Sequence, residues 1–453
     1  MKKTAKSGSR SRHGISPDFA GELPVDSLAF SLLGASRAVE LVEQGMSLPN
    51  ALSVVFAHPK ITPQAAGAIQ DISYRTLRLL GLVREILRNM THKKPEPPQL
   101  RALLYCSLSL LIEADDEVDL PYEVFTAVDQ SVRAGAAPPL AHAKKLINAI
   151  LRRFLREKNE LLEKARKETE ALWLYPEWWV SATQKAWPDH WQAILKAGNT
   201  APPLTLRVNR KKTTTASYLL RLEQSGIKAL AIGEHAVMLE HPMATSRIPG
   251  FDEGLVSVQD AAAQYAAPLL DLADGMRVLD ACAAPGGKTG HILETADVHL
   301  TALDIDPQRL ERVSENMGRL NLNAHLRQGD ASKEDWWDGV PFDRILADVP
   351  CTASGIVRRQ PDIRWLRRES DKGQLAALSA RILDNLWLML NPGGKLLFVT
   401  CSIWPIESEM QAQAFAKRNR ATRLDSVGQM LPETGRHTNH DGFFYALFQK
   451  SAP

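Results

Sequence analysis

The chain has 453 residues, of which 44% are hydrophobic, so we expect two or three domains with packed cores. Its net charge is only +3, which excludes a globally basic protein, and any contact with nucleic acid must come from local patches. The four cysteines form no C-x-x-C pair, which argues against a zinc site, and they are too few for a disulfide framework in a chain of this size. Neither a membrane-length apolar run nor a signal peptide is visible, which argues against a membrane anchor. Together these features predict a metal-free protein of the reducing cytoplasm.

Residues 1–25 predict a disordered basic tail, because they are rich in Ser, Gly, Lys and Arg and have little apolar surface to bury. We favour a solvated tail, and contact with RNA phosphates is the alternative. The basic residues concerned are Lys2, Lys3, Lys6, Arg10 and Arg12.

Residues 26–168 predict an all-α domain, because apolar residues recur at helical spacing and prolines stand where helices would start or stop. One predicted helix, within residues 144–158, has a basic side opposite its buried face. Such a side is either a solvated surface or a contact for RNA. The predicted buried residues are Leu146, Ile147, Ile150, Leu151 and Phe154. The basic residues are Lys144, Lys145, Arg152, Arg153, Arg156 and Lys158.

Residues 169–250 predict a linker helix and a small α+β subdomain. We interpret the tryptophans of the linker as the core of a helix wedged between domains, with base stacking as the alternative. They are Trp173, Trp178, Trp179, Trp187 and Trp191. In the subdomain, strands are predicted over residues 204–209, 227–232 and 237–240, and a helix over residues 214–224.

Residues 251–453 predict an α/β domain, because apolar strands alternate with amphipathic helices. This alternation indicates a mostly parallel sheet. The predicted strands span residues 277–279, 299–303, 325–327, 344–347, 395–400 and 443–448. The predicted helices include residues 261–272, 307–320 and 374–390.

A glycine turn follows the first of these strands and reads Asp280-Ala281-Cys282-Ala283-Ala284-Pro285-Gly286-Gly287-Lys288-Thr289. Glycine lets backbone amides approach a ligand, and the helix that starts here adds N–H donors and a positive dipole. The next strand ends in Asp304, at the offset of about 20 residues where an acid accepts hydrogen bonds from ribose hydroxyls. The turn matches neither G-x-G-x-x-G nor a complete P-loop. It indicates a site for an adenosine-containing cofactor, and a tight turn without a ligand is the alternative.

Two cysteines lie at the ends of later strands. Cys351 follows Asp348-Val349-Pro350, and Cys401 follows Thr400. Ligands of open α/β sheets bind outside the carboxyl ends of the strands, so both thiols are predicted on the same edge as the glycine turn. A small buried hydrophobe is the alternative interpretation of either cysteine.

Three motifs of this half, in order along the chain, resemble those of the S-adenosylmethionine-dependent RNA 5-methylcytosine methyltransferases. They are the glycine turn, Asp348-Val349-Pro350-Cys351-Thr352 and Thr400-Cys401-Ser402. The preceding half resembles the RNA-binding helical domains of transcription-antitermination (NusB-type) factors. The resemblance implies a Rossmann-like methyltransferase sheet after a NusB-like bundle, S-adenosyl-L-methionine as the cofactor, and C5 of a cytosine in 16S ribosomal RNA as the substrate. We expect a monomer.

The resemblance also implies roles for individual residues. Cys401 would attack C6 of the base, and Cys351 would assist release of the product. Asp304 would bind the ribose of the cofactor, Asp330 would lie by the adenine, and Asp348 would lie between the cofactor and the base. The remaining cofactor-binding positions are Cys282, Ala283, Ala284, Pro285, Gly286, Gly287 and Lys288, of which the Cys282 side chain is interpreted as packing.

Arginines follow Cys351 closely and predict a surface that holds RNA phosphates, with a solvated face as the alternative. They are Arg358, Arg359, Arg364, Arg367 and Arg368. The stretch after Cys401 reads Glu407-Ser408-Glu409, where the family more often has adjacent acids and an asparagine. This departure leaves the roles of these side chains open.

Two other functions stay open on the sequence alone. The first is a cytosine-C5 methyltransferase of another nucleic acid, and a nucleophilic Cys351 would favour a DNA enzyme, since such enzymes carry the nucleophile in a Pro-Cys motif. The second is an RNA-binding assembly factor with a cofactor-binding but inactive sheet. Two cysteines at one edge argue against a protein substrate.

Overall fold

The computed structural model describes residues 23–113, 120–138, 140–233, 235–436 and 438–452. The chain folds as two compact units, Met1–Leu174 and Tyr175–Pro453. The predicted basic tail lies outside the described residues up to residue 22. Within the described ranges, each helix is too short or too polar to cross a bilayer.

The first unit is helical, which confirms the expectation for the N-terminal region. Ser27 and Thr62 each start a helix by accepting a hydrogen bond from a first-turn backbone N–H at 3.2 Å. The α-helices found in the described part of this unit are α1 (Leu28–Glu43), α2 (Leu48–Phe56), α3 (Pro63–Arg78), α4 (Leu80–Met90), α5 (Pro98–Ser109), α6 (Val124–Ala134), α7 (Lys144–Arg156), α8 (Lys158–Ala165) and α9 (Thr169–Trp173).

Helix α7 carries the predicted basic side. The predicted burial of Leu146 is wrong. This side chain is 43% exposed, because it lies outside the stripe of residues that faces the core. The buried residues of α7 are Ile147, Ile150, Leu151 and Phe154. Its exposed basic residues are Lys144, Lys145, Arg152 and Arg156.

The second unit combines helices with a small four-stranded sheet, a large seven-stranded sheet and a two-stranded antiparallel pair. In its described part the α-helices are α10 (Glu177–Ala186), α11 (Trp191–Asn199), α12 (Thr215–Gln224), α13 (Ala266–Leu269), α14 (Gly287–Thr295), α15 (Pro307–Leu320), α16 (Ile363–Leu366), α17 (Asp371–Leu388) and α18 (Glu409–Asn419). The strands are β1 (Thr205–Val208), β2 (Ala229–Ala231), β3 (Ala236–Leu239), β4 (Val256–Val258), β5 (Arg277–Ala281), β6 (His299–Asp304), β7 (His325–Gln328), β8 (Phe342–Asp348), β9 (Leu390–Thr400), β10 (Thr422–Met430), β11 (Glu433–Thr434), β12 (Asn439–His440) and β13 (Phe443–Gln449).

The tryptophans of α10 and its neighbourhood pack inside the second unit. Trp179 is buried, and the centroid of its ring lies 5.3 Å from that of Trp404. Trp187 donates from Nε1 to the carbonyl oxygen of Ile403 at 2.9 Å. Trp179 is therefore a core residue that offers no face to a base.

The small sheet is antiparallel and has the order β2-β3-β1-β4. Helix α12 covers it with Tyr218 and Leu222, which pack against Leu206 and Val237. Strand β4 was not predicted, because its short stretch Val256-Ser257-Val258 is not a continuous apolar run. It lies after residue 250, where the sequence analysis ends the subdomain.

The large sheet has the order β10-β13-β9-β8-β5-β6-β7. Its five strands from β9 to β7 are parallel, and β13 runs antiparallel between β9 and β10. This arrangement confirms the predicted α/β fold with a mostly parallel sheet. Strand β10 was not predicted, because it is a polar edge strand without a continuous apolar run.

Both faces of the large sheet are buried. Along β8, Leu346 packs into one core cluster, whereas Ile345 and Ala347 pack into the cluster on the other face. Coverage on both faces explains why the central strands read as continuous apolar runs. It leaves the edge formed by the strand ends as the place for polar chemistry.

Candidate active site

Neighbouring parallel strands present the predicted site residues along one edge of the large sheet. In spatial order, β9, β8, β5, β6 and β7 end beside Cys401, Asp348, the glycine turn, Asp304 and Asp330. Parallel strands point their carboxyl ends the same way, so residues far apart in sequence meet here.

The glycine turn between β5 and α14 is held in one conformation. Gly286 has φ +96°, and a Cβ at this position would lie 3.2 Å from Val313 Cα, so the turn requires glycine. The N–H of Ala284 donates to Asp304 Oδ2 at 3.1 Å. The turn is therefore a preformed loop whose following residues start a helix.

Arg207 of β1 braces the same turn from the small sheet. Its Nη1 donates to the carbonyl oxygen of Gly287 at 2.8 Å, and its Nε and Nη2 each donate to the Glu294 carboxylate at 2.8 Å. Arg207 was not among the predicted site residues, although a charge inside the otherwise apolar strand β1 was a usable signal.

Asp280 is a buried acid at the end of β5, with 1% exposure. Its Oδ2 accepts from Thr289 Oγ1 at 2.6 Å, whereas Oδ1 has no hydrogen-bond partner among the described residues. Burial raises the pKa of this carboxyl to about 7. A buried acceptor without a donor, next to a glycine turn, suits a ligand that brings a cationic group. Asp280 opens the glycine-turn motif but was not among the predicted site residues.

Asp304 and Asp330 lie at the ends of neighbouring strands. The buried Asp304 carboxylate accepts from the N–H groups of Ala284 and Asp306, each at 3.1 Å. Asp330 is more open, and the backbone and side-chain hydrogen bonds that it accepts from Ser332 lower the pKa of its carboxyl. A carboxylate has about four acceptor positions, so both acids retain capacity for a ligand.

Asp348 and Lys288 form an ion pair between the glycine turn and the cysteines. Lys288 Nζ donates to Asp348 Oδ2 at 2.6 Å. Burial lowers the pKa of Lys288, but the adjacent Asp348 carboxylate, together with Cys401 and Asp280, raises it by more, and the net pKa is raised. Lys288 therefore keeps its positive charge, which holds Asp348 in place.

The thiols of Cys351 and Cys401 meet at this edge, with 3.5 Å between their Sγ atoms. The hydrogen bond with Cys401 and burial raise the pKa of the Cys351 thiol well above its ordinary value, and nearby negative charge, including that of Glu407, adds to the shift. Cys351 therefore holds its proton at neutral pH.

The other two cysteines are elsewhere. Burial and the negative charge of Asp348 raise the pKa of the Cys282 thiol, which packs against the sheet core. Cys106 is fully buried in α5, and burial raises the pKa of its thiol to about 12. Both environments agree with the packing interpretation of these side chains.

Glu407 is a third buried acid of this edge, with 1% exposure. Its Oε1 accepts from the N–H of Thr352 at 2.9 Å, and its Oε2 accepts from Thr352 Oγ1 and Ser402 Oγ, each at 2.6 Å. No role was predicted for Glu407, because the motif around it departs from the family pattern.

The arginine run after Cys351 does not form the predicted phosphate-holding surface. Arg358 is 1% exposed and, with Arg359, pairs with Asp441. Arg364 is fully buried over the ring of Tyr175, at 3.8 Å from its centroid. The prediction is therefore wrong for Arg358 and Arg364, because their charges are satisfied inside the unit.

Arg367 is half-buried and donates from Nε to the carbonyl oxygen of Thr352 at 3.1 Å. It therefore supports the loop that carries Cys351. Arg368 is the exposed member of the run.

Comparison with protein families gives two matches. Residues 267–449 match the family described as 16S rRNA methyltransferase RsmB/F. Residues 175–246 match the family described as Methyltr_RsmF/B-like, ferredoxin-like domain. The two matched regions contain the large sheet and most of the small sheet.

Similar proteins cover nearly the whole chain. Ribosomal RNA small subunit methyltransferase B of Serratia proteamaculans is 40% identical over 419 residues, which are 91% of this chain and 96% of that protein. The crystal structure of PH0851 has a TM-score of 0.76 at 24% identity and covers 95% of this chain and 99% of its own, which shows a common fold. A methyltransferase homolog from Pyrococcus horikoshii has a TM-score of 0.54 at 27% identity over 62% of this chain and 97% of its own.

Proposed function

The chain belongs to the RsmB/F family of 16S rRNA methyltransferases, and we propose that it methylates C5 of a cytosine in that RNA with S-adenosyl-L-methionine. The observation that carries this proposal is the pair of thiols, Cys351 and Cys401, with 3.5 Å between their sulfur atoms beside the glycine turn. Cytosine C5 is a weak nucleophile, and a thiolate that adds to C6 makes C5 enamine-like. A second thiol at the same base is suited to assist release.

The residues around the glycine turn fit S-adenosyl-L-methionine, which supplies an electrophilic methyl group when bound. The backbone of residues 282–288 would hold its methionine end, and the unpaired Oδ1 of Asp280 is an acceptor for its ammonium group. Asp304 would accept hydrogen bonds from the ribose hydroxyls, and Asp330 would lie by the adenine.

The two thiols divide the chemistry between attack and release. Cys401 Sγ bonds to C6, and the electron pair of the C5–C6 double bond makes C5 the nucleophile that takes the methyl group. A base, which can be a water molecule, then takes the C5 proton, and the electron pair of that C–H bond re-forms the C5–C6 double bond and expels Cys401 as a thiolate. Cys351 assists by hydrogen bonding to the departing sulfur, which lies 3.5 Å from its own. Nucleophilic attack needs the thiolate form, and the contact between the two sulfur atoms lets one cysteine act as the thiolate while the other keeps its proton.

Asp348 would orient the base. Its carboxylate is held by Lys288 at 2.6 Å, between the glycine turn and the thiols. Acidic side chains accept hydrogen bonds from the N4 amine of cytosine, so this position favours cytosine over bases without that donor.

The helical unit would supply part of the RNA contact. Helix α7 exposes four basic residues opposite its buried face, and phosphate contacts provide affinity without base recognition. The contact is assigned to 16S ribosomal RNA through the family.

The thiol variants test the mechanism. Cys401→Ala should lose turnover and form no covalent RNA adduct, whereas Cys351→Ala should attack but stall, leaving a protein–RNA band that survives denaturing electrophoresis. Cys106→Ala, in the first unit, is the control for removal of a thiol. An adduct formed by Cys401→Ala and missing in Cys351→Ala would make Cys351 the nucleophile and favour an arrangement like that of DNA enzymes.

Bisulfite mapping of 16S ribosomal RNA, with and without the protein, tests the reaction itself. We expect one or more cytosines to become protected from conversion when the protein and S-adenosyl-L-methionine are both present. An unchanged map from a protein that still binds the cofactor would favour the assembly-factor alternative.

A further inference from the structure

Glu407 bridges the two loops that carry the thiols. Its partner Thr352 directly follows Cys351, and its other partner Ser402 directly follows Cys401. A single buried carboxylate therefore spans both loops, and both of its oxygens are used. Burying a carboxylate costs free energy unless hydrogen-bond donors surround it, and here the donors of both loops offset that cost.

The three donors that converge on Glu407 require an acceptor-only group. They are the N–H of Thr352, the hydroxyl of Thr352 and the hydroxyl of Ser402, all within 2.9 Å of the carboxylate. A neutral amide has one acceptor oxygen and cannot receive all three donors at once. A side chain that only filled space here would leave all three donors without their acceptor.

Other hydrogen bonds join the same two loops. The N–H of Gly355 donates to the carbonyl oxygen of Cys401 at 2.8 Å, and the N–H of Ile403 donates to Ser354 Oγ at 2.9 Å. In the Cys351 loop these bonds come from Ser354 and Gly355, which follow the cysteine by three and four residues, whereas in the other loop they involve Cys401 itself and Ile403. Glu407 acts immediately beside the cysteines, where a small displacement changes the separation of the sulfur atoms most directly.

We propose that Glu407 is a positioning residue that fixes the separation of Cys351 and Cys401 so that both thiols face one base. This inference rests on the proposed function, because it presumes that the thiols attack and release a cytosine. The charge has a second consequence, since it contributes to the raised pKa of Cys351 and helps that thiol keep its proton. Glu407 touches neither substrate nor cofactor in this role.

Two substitutions and one matched control test the proposal. Glu407→Gln keeps the size of the side chain and one acceptor, whereas Glu407→Ala removes all acceptors. Glu409→Gln is the control, because Glu409 is two residues away, partly exposed, and pairs with Arg423 at 2.6 Å. Thermal unfolding and S-adenosyl-L-methionine affinity are measured for each variant, and the Gln variant decides the case if the Ala variant does not fold.

The first readout is the split between kcat and KM. A displacement of about 1 Å at reacting groups lowers the rate by about 100-fold, so we expect Glu407→Gln to lower kcat by about 10- to 100-fold. KM for RNA and the affinity for the cofactor should change less than about threefold, because the binding residues are untouched. The kcat of Glu407→Ala should be lower than that of Glu407→Gln, and the kcat of Glu409→Gln should equal that of the parent.

The second readout does not depend on methylation. Phenylarsine oxide condenses with two neighbouring thiols, forming two As–S bonds and releasing one water, and a preorganised pair binds it more tightly. We expect about tenfold weaker binding by Glu407→Ala and an unchanged affinity for Glu409→Gln. Weaker binding in a protein whose parent methylates no RNA would support the positioning role and reject the proposed function. Unchanged kcat and unchanged arsenical affinity in both Glu407 variants would overturn the inference.

Discussion

Replacing Asp280 by asparagine is expected to change how the stability of the second unit depends on pH. In the folded chain the carboxyl of Asp280 has a pKa of about 7, against an ordinary value of 3.8, because it is buried. Between these values the folded state holds a proton that the unfolded state has released. Stability therefore falls as pH rises through this window, and asparagine, which does not titrate, removes the fall.

The size of the effect follows from the two pKa values. One pKa unit corresponds to about 1.36 kcal/mol. Ionisation of Asp280 therefore lowers the free energy of unfolding by about 1.6 kcal/mol at pH 5, and this loss levels off at about 4 kcal/mol above pH 7. The parent should therefore lose on the order of 3 kcal/mol between pH 5 and pH 8 from this group alone. The cost of burying the new amide is the same at both pH values and cancels in the comparison.

Urea denaturation followed by tryptophan fluorescence reports mainly the second unit, since nine of the ten tryptophans lie after residue 174. The quantity compared is the difference in free energy of unfolding between the parent and Asp280→Asn, at pH 5 and at pH 8. Asp335→Asn is the control for removing an exposed carboxylate. A difference that is the same at both pH values would refute the reasoning, because Asp280 would then not hold an extra proton in the folded state.

Three further variants test the site and its surroundings. Asp304→Asn should weaken S-adenosyl-L-methionine binding by about 1.5–3 kcal/mol in calorimetry, through loss of charge-assisted hydrogen bonds, and unchanged affinity would remove this residue from the cofactor site. Arg358→Gln should cost on the order of 3 kcal/mol of stability, because it removes one of the two arginines that pair with the buried Asp441, without changing the salt dependence of RNA binding; a flatter dependence would restore a phosphate-binding role. Replacing the exposed basic residues of α7 by alanine should reduce the slope of log K for RNA binding against log salt concentration by about 0.7 for each phosphate that the protein no longer neutralises. An unchanged slope would mean that these residues form a solvated surface. The residues replaced together are Lys144, Lys145, Arg152 and Arg156.

The strand–turn–helix elements were predictable because their signals are local. Helix α15 has the predicted limits, since Asp306 caps it and a proline occupies its first turn. Strands β5, β6, β8, β9 and β13 were predicted from apolar runs, which burial on both faces makes conspicuous. The exposed edge strand β7 lacks such a run and was predicted from the alternation of strands and helices along the chain. The polar edge strand β10 and the three-residue β4 lack such runs and could be recognised only through their pairing partners.

Periodicity and the order of strands along the chain are enough to predict the α/β class, the helical character of the first unit and the edge on which the motif residues lie. The roles of charged residues cannot be predicted in this way, since their burial and their partners depend on what packs nearby. Arg358 is an interior ion-pair partner, although its neighbourhood in sequence resembles a basic surface. Asp280 with its unpaired oxygen and Glu407 with its three donors became visible only when distant loops met, because hydrogen-bond satisfaction is a property of contacts in space and leaves no local pattern along the chain.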